Sequence, residues 1–296
     1  MIKRLLLPMI ALGVMAVSCD VNDKDSYQTI RYGDYNLVVD LDNPDQLAQA
    51  TSGSYEVKYV FNKLTADVKT SDLIINNQKA SFETDTMRYG GNETQILFSK
   101  LGIADKSGTV KDLSATVDNG YKFYSVNTDG SEPKFYYDQR LVMRYTYNDR
   151  YSVRTFCSES SYFGESTVYD DVESCNTKES PYRINIDFSK NLATIVVYSP
   201  KFSENQKDVI NVLQIEEVPV KFTHDSYFLA ADAPKTKVLK VESGKAELVE
   251  SDDYKVTNLS VRYNTNLTEA TVTYNIAGKS VYFQGSSVYK KSSSSN

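Results

Sequence analysis

The chain has 296 residues, a formal charge of −6 at pH 7 and a pI near 5.1, and losing Lys3 and Arg4 with a leader makes it more acidic still. An acidic balance disfavours nucleic acid and anionic lipid head groups as partners. Tyrosine is abundant at 23 residues, tryptophan is absent, and Thr and Val are frequent, which is the composition of β-sheet.

The chain opens with Lys3 and Arg4, then an apolar stretch over 5–17. That stretch is shorter than the roughly 18–20 residues a helix needs to cross a bilayer. Ala16, Val17 and Ser18 lead into Cys19. "AVSC" resembles the signal of bacterial lipoproteins cleaved by signal peptidase II, with Ala16 standing where Leu is commonest. The resemblance implies a diacylglycerol on the Cys19 sulfur, cleavage after Ser18 and acylation of the new amine. Several acyl chains anchor stably where one does not. Residues 1–18 are then the signal peptide and 19–34 a tether. Asp20, Asp23 and Asp25 follow the cysteine closely. In lipoproteins resembling those of Bacteroidetes such acids mark export to the cell surface. In enteric-type bacteria an Asp directly after the cysteine favours the inner membrane. The Tyr-, Asn- and Asp-rich style is closer to the former. The expected address is the outer membrane, lipid-anchored and facing the surface, with the periplasmic face as the alternative.

Along the body the apolar period is two. Strands are expected at 36–41, at Tyr55, Val57, Tyr59 and Phe61, and, after a reversal at Asn62-Lys63, at Leu64, Ala66 and Val68. Others fall at 113–117, 122–126, 219–222, 227–230 and 237–241. A closing hairpin turns at Ala277-Gly278-Lys279, where Gly suits a positive φ. "VYFQGS" at 281–286 belongs to that hairpin and is not a tag scar. Short helices are expected at 43–50, 94–101 and 205–213. The tail at 292–296 is low-complexity and reads as disordered. "DTM" at 85–87 resembles the O-glycosylation signal of exported Bacteroidetes proteins, with Thr86 as acceptor.

Three matches suggest a duplication. Residues 55–79 align with 182–207 through one gap, Tyr55 meeting Tyr182, Val57 meeting Ile184 and Val68 meeting Val196. "LVMRYTYN" from Leu141 resembles "LSVRYNTN" from Leu259, and "YFGESTVY" (162–169) resembles "YFQGSSVY" (282–289). The fold class is therefore read as all-β, with two tandem related β-sandwich or open-barrel domains and few short helices. The domains run over 35–178 and 179–291. "NLATIVVYSPKF" from Asn191 paired with "VPVKFTHDSYFLAA" from Val218, then a Tyr-rich closing hairpin, resembles the uncharacterised tandem-repeat all-β lipoproteins of Bacteroidetes, a resemblance that carries no catalytic residues.

With Cys19 acylated, Cys157 and Cys175 are left as an even pair, which in an exported protein points to a disulfide. Its loop of about 18 residues is worth roughly 3 kcal/mol. No CxxC, HExxH, GxSxG or phosphate loop occurs, so no metal, cofactor or catalytic residue is expected. His224 in "KFTHDSY" reads as a turn residue. Glu216-Glu217, Asp170-Asp171 and Asp252-Asp253 are doublets whose members should point to opposite faces of a strand, which spoils them as glycosidase pairs. The expectation is a non-enzymatic binding or scaffolding protein. Its partners are the membrane, through the anchor, and a glycan or an envelope protein. A structural component without a small ligand, and a hydrolase, are the alternatives. A barrel interior that holds an apolar ligand is a further option. An exposed Tyr cluster on one sheet face, or a groove between the repeats, would favour a binding module for a glycan or a protein partner.

Overall fold

The computed structural model describes residues 27–287, apart from 61–62, 64, 85–86, 93–94, 99–102, 106–109, 126–133, 207–209, 243–244 and 266. Cys19 and Thr86 lie outside the described residues. In chain order the first strands are β1 (Tyr27–Tyr32), β2 (Tyr35–Asp40), β3 (Gln49–Ser52), β4 (Ser54–Val60), β5 (Thr65–Ser71), β6 (Ile74–Ile75) and β7 (Gln78–Lys79). Then come β8 (Phe82–Thr84), β9 (Met87–Asn92), β10 (Gln95–Phe98), β11 (Ile103–Asp105), β12 (Val110–Ser125), β13 (Lys134–Tyr147) and β14 (Tyr151–Phe156). The second half holds β15 (Glu159–Tyr169), β16 (Ser174–Asp187), β17 (Leu192–Tyr198), β18 (Val212–Phe222) and β19 (Tyr227–Ala231). It ends with β20 (Lys235–Glu242), β21 (Lys245–Glu250), β22 (Val256–Tyr263), β23 (Glu269–Ile276) and β24 (Lys279–Ser286).

The chain is all-β. Among the described residues there is no helix; of the expected helices, residues 94 and 99–101 of the second and 207–209 of the third lie outside the described residues. Ile96, Leu97 and Phe98 form a short apolar run, which periodicity cannot assign, and they pair as β10. Val212 and Leu213 begin β18, favoured by the β-branched residues around them. The segment after Asn43 is too short to nucleate a helix. It is instead folded back by Asp40, whose carboxylate accepts from Asn43 Nδ2 at 2.6 Å and from Arg150 Nη2 at 2.7 Å.

Eight antiparallel strands close a barrel in the order β15–β24–β23–β22–β19–β18–β17–β16 and back to β15. The seam between β17 and β18 completes the ring, and β20 and β21 hang from β18 as a ribbon. Closure removes free edges and tilts alternate residues inward. The interior is filled by side chains. Tyr182 and Phe283, both buried, stack with ring centroids 3.9 Å apart, and the Tyr182 and Tyr274 hydroxyls lie 3.2 Å apart. Burial pushes the Tyr182 phenol up to about 12. Ile184, Ile195, Leu213 and Val272 complete this core, so the interior is packed and offers no ligand chamber among the described residues.

The remaining strands, apart from the β6–β7 hairpin, follow the order β1–β4–β5–β9–β10–β12–β13–β14–β2–β3, with β8 beside β5 and β11 beside β8. The second expected domain boundary, at 178/179, falls inside β16, and β15, expected in the first domain, is a barrel strand. Two of the matched blocks keep their inside–outside phase. Val57 pairs with Val68 and Ile184 with Ile195, so the β4–β5 and β16–β17 hairpins correspond at a constant offset, without the gap. Met143 and Val261 are both buried. The third match is out of phase: Tyr162 is buried where Tyr282 is exposed, and Phe283 is buried where Phe163 is only partly so. A one-residue slip exchanges the two faces of a strand. The two octapeptides are in fact neighbours, β15 pairing with β24 from Phe163↔Ser286 to Tyr169↔Ser280.

The two halves share a layer. Leu37 and Val39 belong to the barrel's core cluster, while Val38 between them belongs to the other core. Tyr35 and Phe156 from β2 and β14 pack on Phe188 at 4.9 and 5.4 Å between centroids. Arg154, buried, donates to the carbonyls of Thr265 and Asp225 in two rim turns of the barrel.

Candidate functional site

The outer barrel face formed by β15, β24 and β23 carries the best site. On β15 Ser166 and Val168 point inward, so Glu165, Thr167 and Tyr169 point out. On β24 Val281 and Phe283 are inward and Tyr282 and Gln284 outward. Register then sets the rows. Thr167 faces Tyr282, which faces Thr273; Tyr169 faces Ser280, which faces Asn275; Glu165 faces Gln284, which faces Thr271. Tyr169 and Tyr282 are thus diagonal neighbours, roughly 7–8 Å apart by strand geometry. They are 49% and 41% exposed, unusual for large aromatics beside so many buried ones.

Around them the chemistry is hydroxyl and amide. Tyr282 Oη donates to Gln284 Oε1 at 3.3 Å, and Ser280 Oγ to Asn275 Oδ1 at 3.0 Å. Asn176, across β16, donates its amide to the Glu165 carboxylate. One end of the face is braced. Lys279 Nζ donates to Asp170 at 2.7 Å and to Glu173 at 2.9 Å, tying the β15–β16 turn to the β23–β24 turn. The Lys279 ammonium, with the Val172 and Glu173 amides, holds the Asp170 carboxyl down to about 2. The Ala277-Gly278 turn has φ of 50° and 76°, a type I′ reversal.

The other expected residues are dispersed. Cys157 and Cys175 are both free thiols, and the expected disulfide is not formed. Cys157 adjoins Ser158, whose carbonyl accepts from Ile186 N at 2.9 Å, whereas Cys175 pairs with Val168 near the far end of β16. Roughly 30 Å of strand separates them, against the Cα separation of about 7 Å that a cystine tolerates. Burial and a hydrogen bond to Glu204 push the Cys175 thiol up. His224 is exposed in the β18–β19 turn, its Nδ1 2.9 Å from the Gln46 carbonyl. A carbonyl only accepts, so Nδ1 carries the proton and the ring acts as a tie between loop 41–48 and the barrel rim.

Glu216-Glu217 departs from strict alternation. Ile215 and Val218 are both buried while the two glutamates between them are not, and the register against β17 shifts at this point. Glu217 has φ 58°. This is a β-bulge, which puts both carboxylates on one face. They share a shallow surface groove of about 320 Å³ with Asp187, Lys190 and Thr194. Glu216 is committed to Lys237, 2.9 Å away, and to the Gln214 amide at 2.6 Å. That arrangement has the character of a structural ion pair rather than an acid–base couple. Sequence reasoning missed both the bulge and the tyrosine face, because each depends on which strands pair.

No protein-family model matches the chain, and no curated protein matches it either.

Proposed function

We propose that this protein is a lipid-anchored envelope module that binds a glycan on the outer face of its barrel. The observation that carries the reading is the diagonal of Tyr169 and Tyr282, exposed in a field of Thr, Ser, Asn and Gln. Tyrosine rings offer flat apolar faces to the C–H surfaces of sugars, and the flanking hydroxyls and amides both donate and accept. The anchor rests on the Cys19 signal, and the address is the outer membrane, facing the surface. The in-phase hairpins support a duplication behind the two halves, confined to β4–β5, β13 and their counterparts.

A glycan array on the mature chain tests the reading. Binding should fall at least about tenfold, 1.4 kcal/mol, in the Tyr169→Ala/Tyr282→Ala double variant, with unchanged circular dichroism because both rings lie outside the core. Unaltered binding in the double variant rejects this face. Cys19→Ser should release the protein from membranes; persistent membrane partition rejects the anchor.

A further inference from the structure

We infer that the tyrosine face takes a neutral, extended glycan and discriminates against uronate- or sulfate-bearing chains; this rests on the glycan reading above. The argument is one of charge. On the outer face of β15, β24 and β23 the charged groups are Glu165, an anion that faces Gln284 and accepts from Asn176, and Glu269, exposed at the start of β23 opposite Ser286. At the end nearer Tyr169 stand the carboxylates of Asp170 and Glu173, and the cation there, Lys279, is already shared between them. Lys178 and Glu179, adjacent and of opposite sign, are both exposed at the β16 bulge and add no net charge. Arg262 lies on β22 opposite Thr271, two strand spacings or about 10 Å from Gln284 and diagonal to Tyr282, with its guanidinium 4.9 Å from the Phe228 ring centroid.

An acidic sugar laid across the tyrosines therefore meets, among the described residues, more carboxylates than cations, and the nearest cation, Lys279, is already shared between two of them. The chain's formal charge of −6 adds long-range repulsion. A neutral sugar meets neither penalty, and its hydroxyls match Thr167, Thr273, Ser280, Asn275 and Gln284, which offer donors and acceptors without a net charge. Shape sets the second half of the inference. The platform is an open sheet face with its two rings offset along and across the strands, so it suits a run of consecutive sugars rather than a single terminal residue held in a pocket.

Affinity electrophoresis of the mature chain separates the outcomes. The probes are neutral polymers (laminarin, mannan, arabinoxylan, dextran) and anionic ones (polygalacturonate, alginate, heparin). The inference expects retardation by a neutral polymer, insensitive to added salt, at least tenfold weaker in Tyr169→Ala/Tyr282→Ala, and stronger with long oligosaccharides than with monosaccharides. Preferential, salt-sensitive retardation by an anionic polymer that Arg262→Gln abolishes overturns the charge class and leaves the glycan reading standing. Retardation by a neutral polymer that survives loss of both tyrosines overturns the assignment to this face. Retardation by none of the probes overturns the glycan reading and this inference together.

Discussion

Gly164 on β15 faces Gly285 on β24, at the seam where the two similar octapeptides meet. A Cβ on Gly164 would collide with the Gln284 carbonyl oxygen and with Gly285 Cα, and would sit 2.7 Å from the Gln284 carbonyl carbon. Every obstacle is backbone, so no side chain can swing aside. Relief requires β24 to retreat, yet β24 is paired along its whole length with β23 on the other side, from Glu269↔Ser286 to Ile276↔Lys279. Overpacking typically costs about 1–3 kcal/mol, and the absence of any soft neighbour places Gly164→Ala at the upper end, about 2–3 kcal/mol. That is a large share of the roughly 5–15 kcal/mol by which domains are stable. It lowers the melting temperature by about 4–12 °C for a chain of this size. Gly278→Ala is the comparison. A Cβ there has nothing within 4 Å, so its cost comes only from the φ of 76°, about 1–2 kcal/mol. Urea unfolding followed by far-ultraviolet circular dichroism reads both. A Gly164→Ala variant within about 0.5 kcal/mol of the parent, the range of an ordinary surface substitution, would refute close apposition of β15 and β24 and with it the closed barrel.

Three further outcomes follow from the same geometry. Ala277→Asn should raise thermal stability by about 0.5–1 kcal/mol, because Asn tolerates the left-handed conformation of a type I′ turn better than Ala; a lower melting temperature would contradict the turn. Thiol titration of the unfolded, unreduced body should find both Cys157 and Cys175 reactive, with Cys175 slow to alkylate in the native protein because burial raises its thiol. A cystine in the peptide map would overturn that. The carboxyls of Asp40, Asp170 and Asp187 are held at about 2, below the ordinary 3.8, by Arg150, Lys279 and Lys190 respectively. Depressed carboxylates stabilise the fold above their unfolded pKa. The acid limb of the stability curve should therefore fall between about pH 4 and pH 2, and Arg150→Gln should flatten it; an unchanged limb in that variant would remove Asp40 from the account.

The β4–β5 hairpin was legible because its inward residues, Tyr55, Val57 and Tyr59, then Ala66 and Val68, recur with period two, which is local information. β16–β17 repeats the pattern with Tyr182, Ile184 and Ile186, then Ala193, Ile195 and Val197. The separate strands expected at 113–117 and 122–126 are one long strand, since the intervening Asp118 and Tyr121 mark a register irregularity rather than a reversal. Partner choice was not legible. "YFGESTVY" and "YFQGSSVY" are similar in letters yet opposite in phase, and only the fold reveals that they lie side by side. The tyrosine face was hidden for the same reason: Tyr169 and Tyr282 are more than a hundred residues apart and become neighbours only through that pairing. The Glu216-Glu217 bulge was hidden because one extra residue in a strand leaves no mark in composition. The absent disulfide shows the limit of an even cysteine count, which speaks to compartment but not to distance.

The closing of the barrel at both ends narrows where a partner can approach. At one end the rim turns of β18–β19 and β22–β23 are fastened to the first sheet. Arg154 holds the Asp225 and Thr265 carbonyls, Ala48 N donates to Thr223 O at 2.8 Å, and His224 meets Gln46. β2 is buried on both sides, so it cannot leave either core without exposing the other. The interior is occupied by Tyr182, Phe283 and Tyr274. The far end is closed too, by Phe202 and Ile210 of the β17–β18 connection, which join the core; what is left is the outer face that runs back from it, from the two turns that Lys279 stiffens and Val172, 93% exposed. Tyr169 sits at that end and Tyr282 a few residues in. The same closure that shuts the barrel to a ligand inside builds a rigid platform outside, because each outward residue on β15 and β24 is fixed by a filled core beneath it. A binder that must hold a flexible sugar chain without a pocket needs that rigidity, since ordering the protein as well as the ligand would consume the modest affinity that stacking and hydroxyl contacts supply.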